Sequence, residues 1–151
     1  MKALKILILV LAVCAFAVPV SAQQLDTFGY YTIVRPPKLF ADISEIHLAG
    51  DYGAQQNPPF YGLIRFKKKS AKDNRLLKPV LRGRNISFTT RSVGGVYYTF
   101  SGTFTKLFDK ILENTPRAPP QGTALTGTLI KYKGKKKIAG AYLRFTYFAG
   151  D

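Results

Sequence analysis

The side chains able to do chemistry are few. His47 is the one histidine, and it alternates with Ile46 and Leu48 on the polar face of a short predicted strand. Nucleophilic catalysis needs a base, a nucleophile and a group that orients the base, all within hydrogen-bond reach. A lone surface histidine supplies one of the three. The one cysteine, Cys14, lies in the N-terminal apolar run. With no second histidine or cysteine, a transition-metal site has almost no ligands to draw on. The carboxylates Asp26, Asp42, Glu45, Asp51, Asp73, Asp109, Glu113 and Asp151 are scattered along the chain. Asp42, Glu45 and Asp51 lie closest together, but their spacing does not mark the paired acid and base of a hydrolase. No glycine-rich phosphate loop precedes a helix. The chain therefore reads as a non-enzyme without cofactor or metal.

Cations dominate instead. Lys67, Lys68, Lys69 and Lys72 crowd one predicted turn. Lys131, Lys133, Lys135, Lys136 and Lys137 flank another. Turns at the same end of a sheet would join into one cationic rim. Lys67, Lys68, Lys69, Lys72, Lys133, Lys135, Lys136 and Lys137 are accordingly the candidate anion-binding residues. The plainer alternative is that lysines on turns and edges keep strands from pairing with other chains. The chain is also rich in rings, with nine tyrosines, eleven phenylalanines and no tryptophan. Tyr97, Tyr142 and Phe148 fall on the face opposite the expected core. A second buried layer is the most economical use for them; a ligand cavity and a stacking platform are the others. Asn85-Ile86-Ser87 fits the glycosylation pattern, but it lies inside a predicted strand and such triplets arise by chance.

The elements that must position these groups begin after an export leader. Lys2 and Lys5 precede an apolar run from Ile6 to Val18, and Val20-Ser21-Ala22 closes with small residues. The run is too short to span a bilayer and its flanks suit a secretory signal peptide, cleaved after Ala22. A lipoprotein reading, with Cys14 lipidated, is poorer. Val13 is bulky where a small residue is wanted, and apolar residues continue to Val20. Removing 22 of the 151 residues leaves 129, a length that buries about two-thirds of its unfolded surface. The expected product is one secreted or periplasmic domain, residues 23–151, with no disulfide and no integral membrane span. Without Lys2 and Lys5, the 23 lysines and arginines fall to 21 against 8 acidic residues, a net charge of +13. That balance favours acidic partners: anionic lipid, lipopolysaccharide, polyanionic polysaccharide or nucleic acid, with no sequence-specific nucleic-acid motif.

Period-two alternation fills the rest. Val96, Tyr98, Phe100, Gly102 and Phe104 share one face, and Ile86 and Phe88 precede them. Keeping one apolar face requires Phe88 opposite Phe100, which a three-residue Val93-Gly94-Gly95 loop delivers by pairing Ser92 with Val96. Further strands are expected at Phe28–Val34, Ser44–Ala49, Phe60–Lys68, Leu125–Tyr132 and Ile138–Phe148. A three-residue loop at Lys133-Gly134-Lys135 would pair Leu125 with Leu143 and Leu129 with Ala139. Leu76, Leu77, Val80 and Leu81 read as an irregular apolar segment around Pro79. Leu107–Asn114 has apolar residues at 107, 108, 111 and 112, spacing that suits one or two helical turns. Gly50–Pro59 and Thr115–Gly122 read as loops. Gly62, Gly102, Gly127 and Gly140 fall mid-strand on the inward face, where glycine permits a sheet to curl toward closure.

The fold expected is all-β: about seven antiparallel strands in a small up-and-down barrel with one short helix. In architecture alone this resembles the calycin class. A two-sheet β-sandwich is the alternative. Two functions follow. One is an exported, non-enzymatic binding protein that holds a small apolar or acidic ligand inside the barrel. The other is a cell-envelope or surface interaction protein that binds polyanions through its lysine-rich turns.

Overall fold

The computed structural model describes residues 27–50, 60–68, 70–113 and 122–150. The expected leader with Cys14, and Lys69, Asp26, Asp51, Asp151 and most of the two predicted loops, lie outside the described residues.

Eight strands form a closed antiparallel barrel in sequence order. They are β1 (Gly29–Ile33), β2 (Ile43–Gly50), β3 (Phe60–Phe66), β4 (Asn74–Arg82), β5 (Asn85–Thr90), β6 (Val96–Phe104), β7 (Leu125–Lys133) and β8 (Lys136–Phe148). β8 closes the barrel on β1, with Tyr147 opposite Tyr31 and Phe145 opposite Ile33. The barrel class is as expected, and the sandwich alternative falls. The one α-helix among the described residues, α1 (Lys106–Glu113), joins β6 to β7.

The strand absent from the sequence expectation is β4. It contains a bulge: Leu77 pairs with Thr89 and Val80 with Ser87, so Lys78 and Pro79 together oppose one residue of β5. Lys78 takes the left-handed conformation at φ 48°, and Pro79 turns inward. Proline is tolerated in a sheet at such a bulge because no ladder hydrogen bond is asked of it. The extra residue shifts the alternation, so Asn74 and Leu76 face inward before it and Pro79 after it. A strict period of two is invisible across that point.

Both hairpin expectations keep the right face and miss the turn. Phe88 does lie opposite Phe100. The turn, however, has two residues: Val93 and Val96 exchange hydrogen bonds at 2.8 and 3.0 Å. Gly94 and Gly95 stand at φ 58° and 77°, the backbone that a tight right-twisting hairpin demands. The two registers are reconciled by a bulge, where Arg91 and Ser92 face Tyr97 alone. There Thr90 Oγ1 accepts the Tyr98 amide at 2.9 Å in place of a ladder carbonyl. At the second hairpin, Leu125 pairs with Phe145 and Leu129 with Ala141, not with Leu143 and Ala139. Gly134 and Lys135 form a two-residue turn, and Ile138 is the extra residue of a bulge. The register moves by two, so the buried set is unchanged.

An eight-stranded barrel is just wide enough for side chains to fill, and here rings fill it. Phe100 contacts Phe88 at 5.2 Å and Phe145 edge-on at 5.6 Å between centroids. Gly102 and Gly127 sit directly opposite one another beneath that ring. A Cβ on Gly127 would lie 2.6 Å from Phe100 Cζ and 2.5 Å from the Ser101 carbonyl oxygen. These two glycines thus serve both curvature and room for the aromatic. Gly140 differs from expectation: it lies on the outer face, between the inward Ala139 and Ala141. α1 stops the end of the barrel where β6 finishes. Its Phe108 is fully buried and packs on Tyr31, Phe104 and Tyr147. Arg84, from the β4–β5 turn, donates to the Thr105 carbonyl at 2.8 Å and pairs with Asp109 of the helix. At the opposite end Phe40, in a short 3-10 turn after β1, is buried.

Candidate anion-binding rim

Up-and-down order sends the β1–β2, β3–β4, β5–β6 and β7–β8 connections to one end of the barrel. Both lysine clusters are therefore at that end. Lys67, Lys68 and Lys72 are exposed in the β3–β4 connection. Lys133, Lys135, Lys136 and Lys137 are exposed on the β7–β8 hairpin. The same end carries Arg35, Lys38 and Arg91, which lie outside the two lysine clusters of the sequence. Strand parity is the signal that finds them.

The turns are tied together. Gly134 N donates to the Gly95 carbonyl at 2.9 Å, which joins the β7–β8 turn to the β5–β6 turn. Asn74 begins β4 and ends the lysine-rich connection. Its side chain is 3% exposed, and its Nδ2 donates to the carbonyls of Arg91 at 2.9 Å and Val96 at 3.2 Å. Arg91 N in turn donates to the Arg75 carbonyl at 2.7 Å. One buried amide and one inter-turn bond thus hold three basic connections as a unit.

Lys131 is the exception within its cluster. It continues the inward phase of Leu125, Gly127 and Leu129, so it points into the mouth of the barrel. Its Nζ lies 3.5 Å from Asp42 and 5.6 Å from the centre of the buried Tyr98 ring. Burial pulls the Lys131 pKa down, but the Tyr98 hydroxyl and Asp42 outweigh it and hold the ammonium above its ordinary value. Burial raises the Tyr98 hydroxyl above its usual range, against the opposing pull of Lys131. Asp42 is thereby engaged by Lys131, and Glu45 is engaged by Arg65 at 3.0 Å. Asp42 and Glu45 thus each meet a cation; Asp51, the third of the group, lies outside the described residues.

His47 is on the outer face, stacked on Tyr30 with centroids 4.4 Å apart and planes 6° apart. Burial first, and then Arg65, lowers its pKa below the ordinary 6.5, with Glu45 opposing. Its described neighbours are the Tyr30 ring and the Arg65–Glu45 ion pair. Among the described residues, no three of His, Cys, Asp and Glu come together as a metal cluster.

The outward rings do not form a second layer. Tyr142 and Phe148 are exposed, and Tyr97 stacks on Tyr132 at 4.9 Å. Asn85 and Ser87 of the glycosylation-like triplet are exposed at the start of β5. Between Asn85 and Leu107, and again from Gly122 to Gly150, the chain contains no Asp or Glu. Strands β5–β8 and their turns at the rim consequently carry cations alone; Asp42, Glu45 and Asp73 sit on the β1–β4 side, and Asp109 lies on α1 at the other end, paired with Arg84. No family model, curated protein or solved structure matches the chain, so the functional reading rests on this rim and its charge.

Proposed function

We propose that this protein is an exported, non-enzymatic binding protein that engages a polyanion through the cationic end of its barrel. The observation that carries the reading is the bonding of three basic connections into one rim by Asn74 and by the Gly134–Gly95 hydrogen bond. Lysines that only blocked edge pairing would have no need of a common, braced platform. A braced platform loses less side-chain and loop freedom on binding. Export rests on the leader-like residues 1–22 and on a chain that, once cleaved, needs no disulfide. The interior is a weaker candidate for the ligand site, because Phe88 and Phe145 both pack on Phe100 and occupy it. The outer face mixes exposed Arg75, Arg82, Lys137 and Arg144 with exposed Leu77, Val80, Tyr142 and Phe148, whereas a lipid-embedded barrel presents a continuous apolar band.

The test is a salt titration of binding to a heparin matrix and to anionic vesicles. Rim binding is expected to weaken steeply with added salt, as screened charge contacts do. Replacing Lys133, Lys135, Lys136 and Lys137 together by alanine removes four exposed contacts. At about 0.5–1 kcal/mol each, the loss is about 30-fold or more at low salt. Unchanged affinity in that variant would overturn the proposal.

A further inference from the structure

The cationic surface does not stop at the rim. β6, β7 and β8 carry no acidic residue, and their outer faces form one continuous wall below the β7–β8 turn. Its rows are set by register: Tyr97–Tyr132–Lys137, then Thr99–Ile130–Gly140, then Ser101–Thr128–Tyr142. Tyr142 is 69% exposed, the most open large ring or aliphatic among the described residues. Gly140 leaves a gap above it, and Lys137 folds back over that gap. A Cβ on Gly140 would lie 3.0 Å from Lys137 Cε and 3.2 Å from its Nζ. The last lysine of the rim is thus directed along the wall, toward an open aromatic face bordered by hydroxyls.

We infer that the polyanion is an acidic polysaccharide, and that its chain runs from the rim down this wall with one sugar ring lying on Tyr142. The inference rests on the rim reading above and adds the chemical class. A sugar ring offers an apolar C–H face to an aromatic ring and hydroxyls that both donate and accept. The hydroxyls of Ser101 and Thr128, which share the row of Tyr142, do the same. Uronate or sulfate groups would meet Lys137 and the rim. A lipid headgroup has no chain to reach from the rim to Tyr142. Single-stranded nucleic acid stacks successive bases on successive open rings, whereas Tyr97 and Tyr132 close on each other and Phe148, the other exposed ring of β8, lies at the far end of the strand from the rim.

The experiment compares wild type, Tyr142→Ala, Tyr142→Phe and the four-lysine variant against three probes. These are a heparin-derived hexasaccharide, linear polyphosphate of similar charge, and an oligo-dT of similar charge. A thermal melt of each variant checks folding, which an exposed ring should not disturb. Tyr142→Ala is expected to weaken hexasaccharide binding about tenfold and leave polyphosphate unchanged. Tyr142→Phe should behave as wild type, and the lysine variant should lose both. Equal effects of Tyr142→Ala on hexasaccharide and polyphosphate, or none on either, would overturn the sugar contact while leaving the rim intact. Tighter oligo-dT binding with a larger loss in Tyr142→Ala would reassign the wall to nucleic acid. Wild type that binds no probe would overturn the rim reading and this inference together.

Discussion

Lys131 and His47 show how far a residue's surroundings decide its chemistry. Lys131 belongs by sequence to a solvated cluster, yet its side chain is only 20% exposed and bridges Tyr98 and Asp42. It braces the mouth and is a poor candidate for direct contact with a polyanion. Lys131→Met should therefore lower stability by about 1–3 kcal/mol, the cost of leaving the buried Tyr98 hydroxyl without its partner, with polyanion affinity nearly unchanged. Urea unfolding beside a binding titration separates the two effects. His47 predicts a pH dependence. Its folded pKa is depressed, so the unfolded chain binds the proton first as pH falls through 6.5. Stability is then flat above neutrality, declines as pH drops from 6.5 toward the folded value, and levels off below it. His47→Gln should shrink the stability difference between pH 7.5 and pH 5; an identical difference in the variant would show that His47 does not contribute. Gly127 is a third case. Alanine there would meet backbone and the Phe100 ring at once, and overpacking of this kind costs about 1–3 kcal/mol, read as a lowered urea midpoint.

At the scale of elements, alternation succeeds where strands are regular and fails where they bulge. β6 is continuous, and its buried set of Tyr98, Phe100 and Phe104 is legible in the chain. β4 is not, because Lys78 and Pro79 shift the inward phase midway. The two hairpins fall between: the need for one apolar face settles which faces meet, but a bulge restores that face after a two-residue turn as well as a three-residue loop does. α1 is legible from the spacing of its apolar residues, while its role as a stopper is not. Phe108 reaches Tyr31, Phe104 and Tyr147 only because closure of β8 on β1 gathers those rings at one end. Phe108→Ala is expected to cost about 3–5 kcal/mol, measured by urea unfolding. A cost below about 1 kcal/mol would mean that the helix merely rests on the barrel.

The whole molecule is electrostatically lopsided. Cations on strands β5–β8 have no acid on those strands to offset them, and the rim gathers cations from four connections. Like charges so placed repel in the folded state, and salt screens them over about 10 Å at 0.1 M. Raising sodium chloride from 10 to 150 mM should therefore raise the melting temperature by a few degrees, on the scale of about 1 kcal/mol. A polyanion that binds the rim should raise it further at low salt, since a ligand that binds only the folded state stabilises it. A melting temperature that falls with sodium chloride would argue that the cations are already balanced.

By itself the sequence determined the all-β class, the inward faces of the regular strands, the cationic balance and the two lysine clusters. Each of these follows from local composition or from a period of two, which neighbouring residues express without help from the rest of the chain. Only the tertiary structure decided the eighth strand, closure of β8 on β1, the ring-filled interior and the gathering of the clusters at one end. It also turned Lys131 inward against Asp42 and left Tyr142 open below Lys137. These depend on pairings between residues far apart in the chain. A bulge of one residue redirects every side chain beyond it, and only the partner strand reveals where that residue lies.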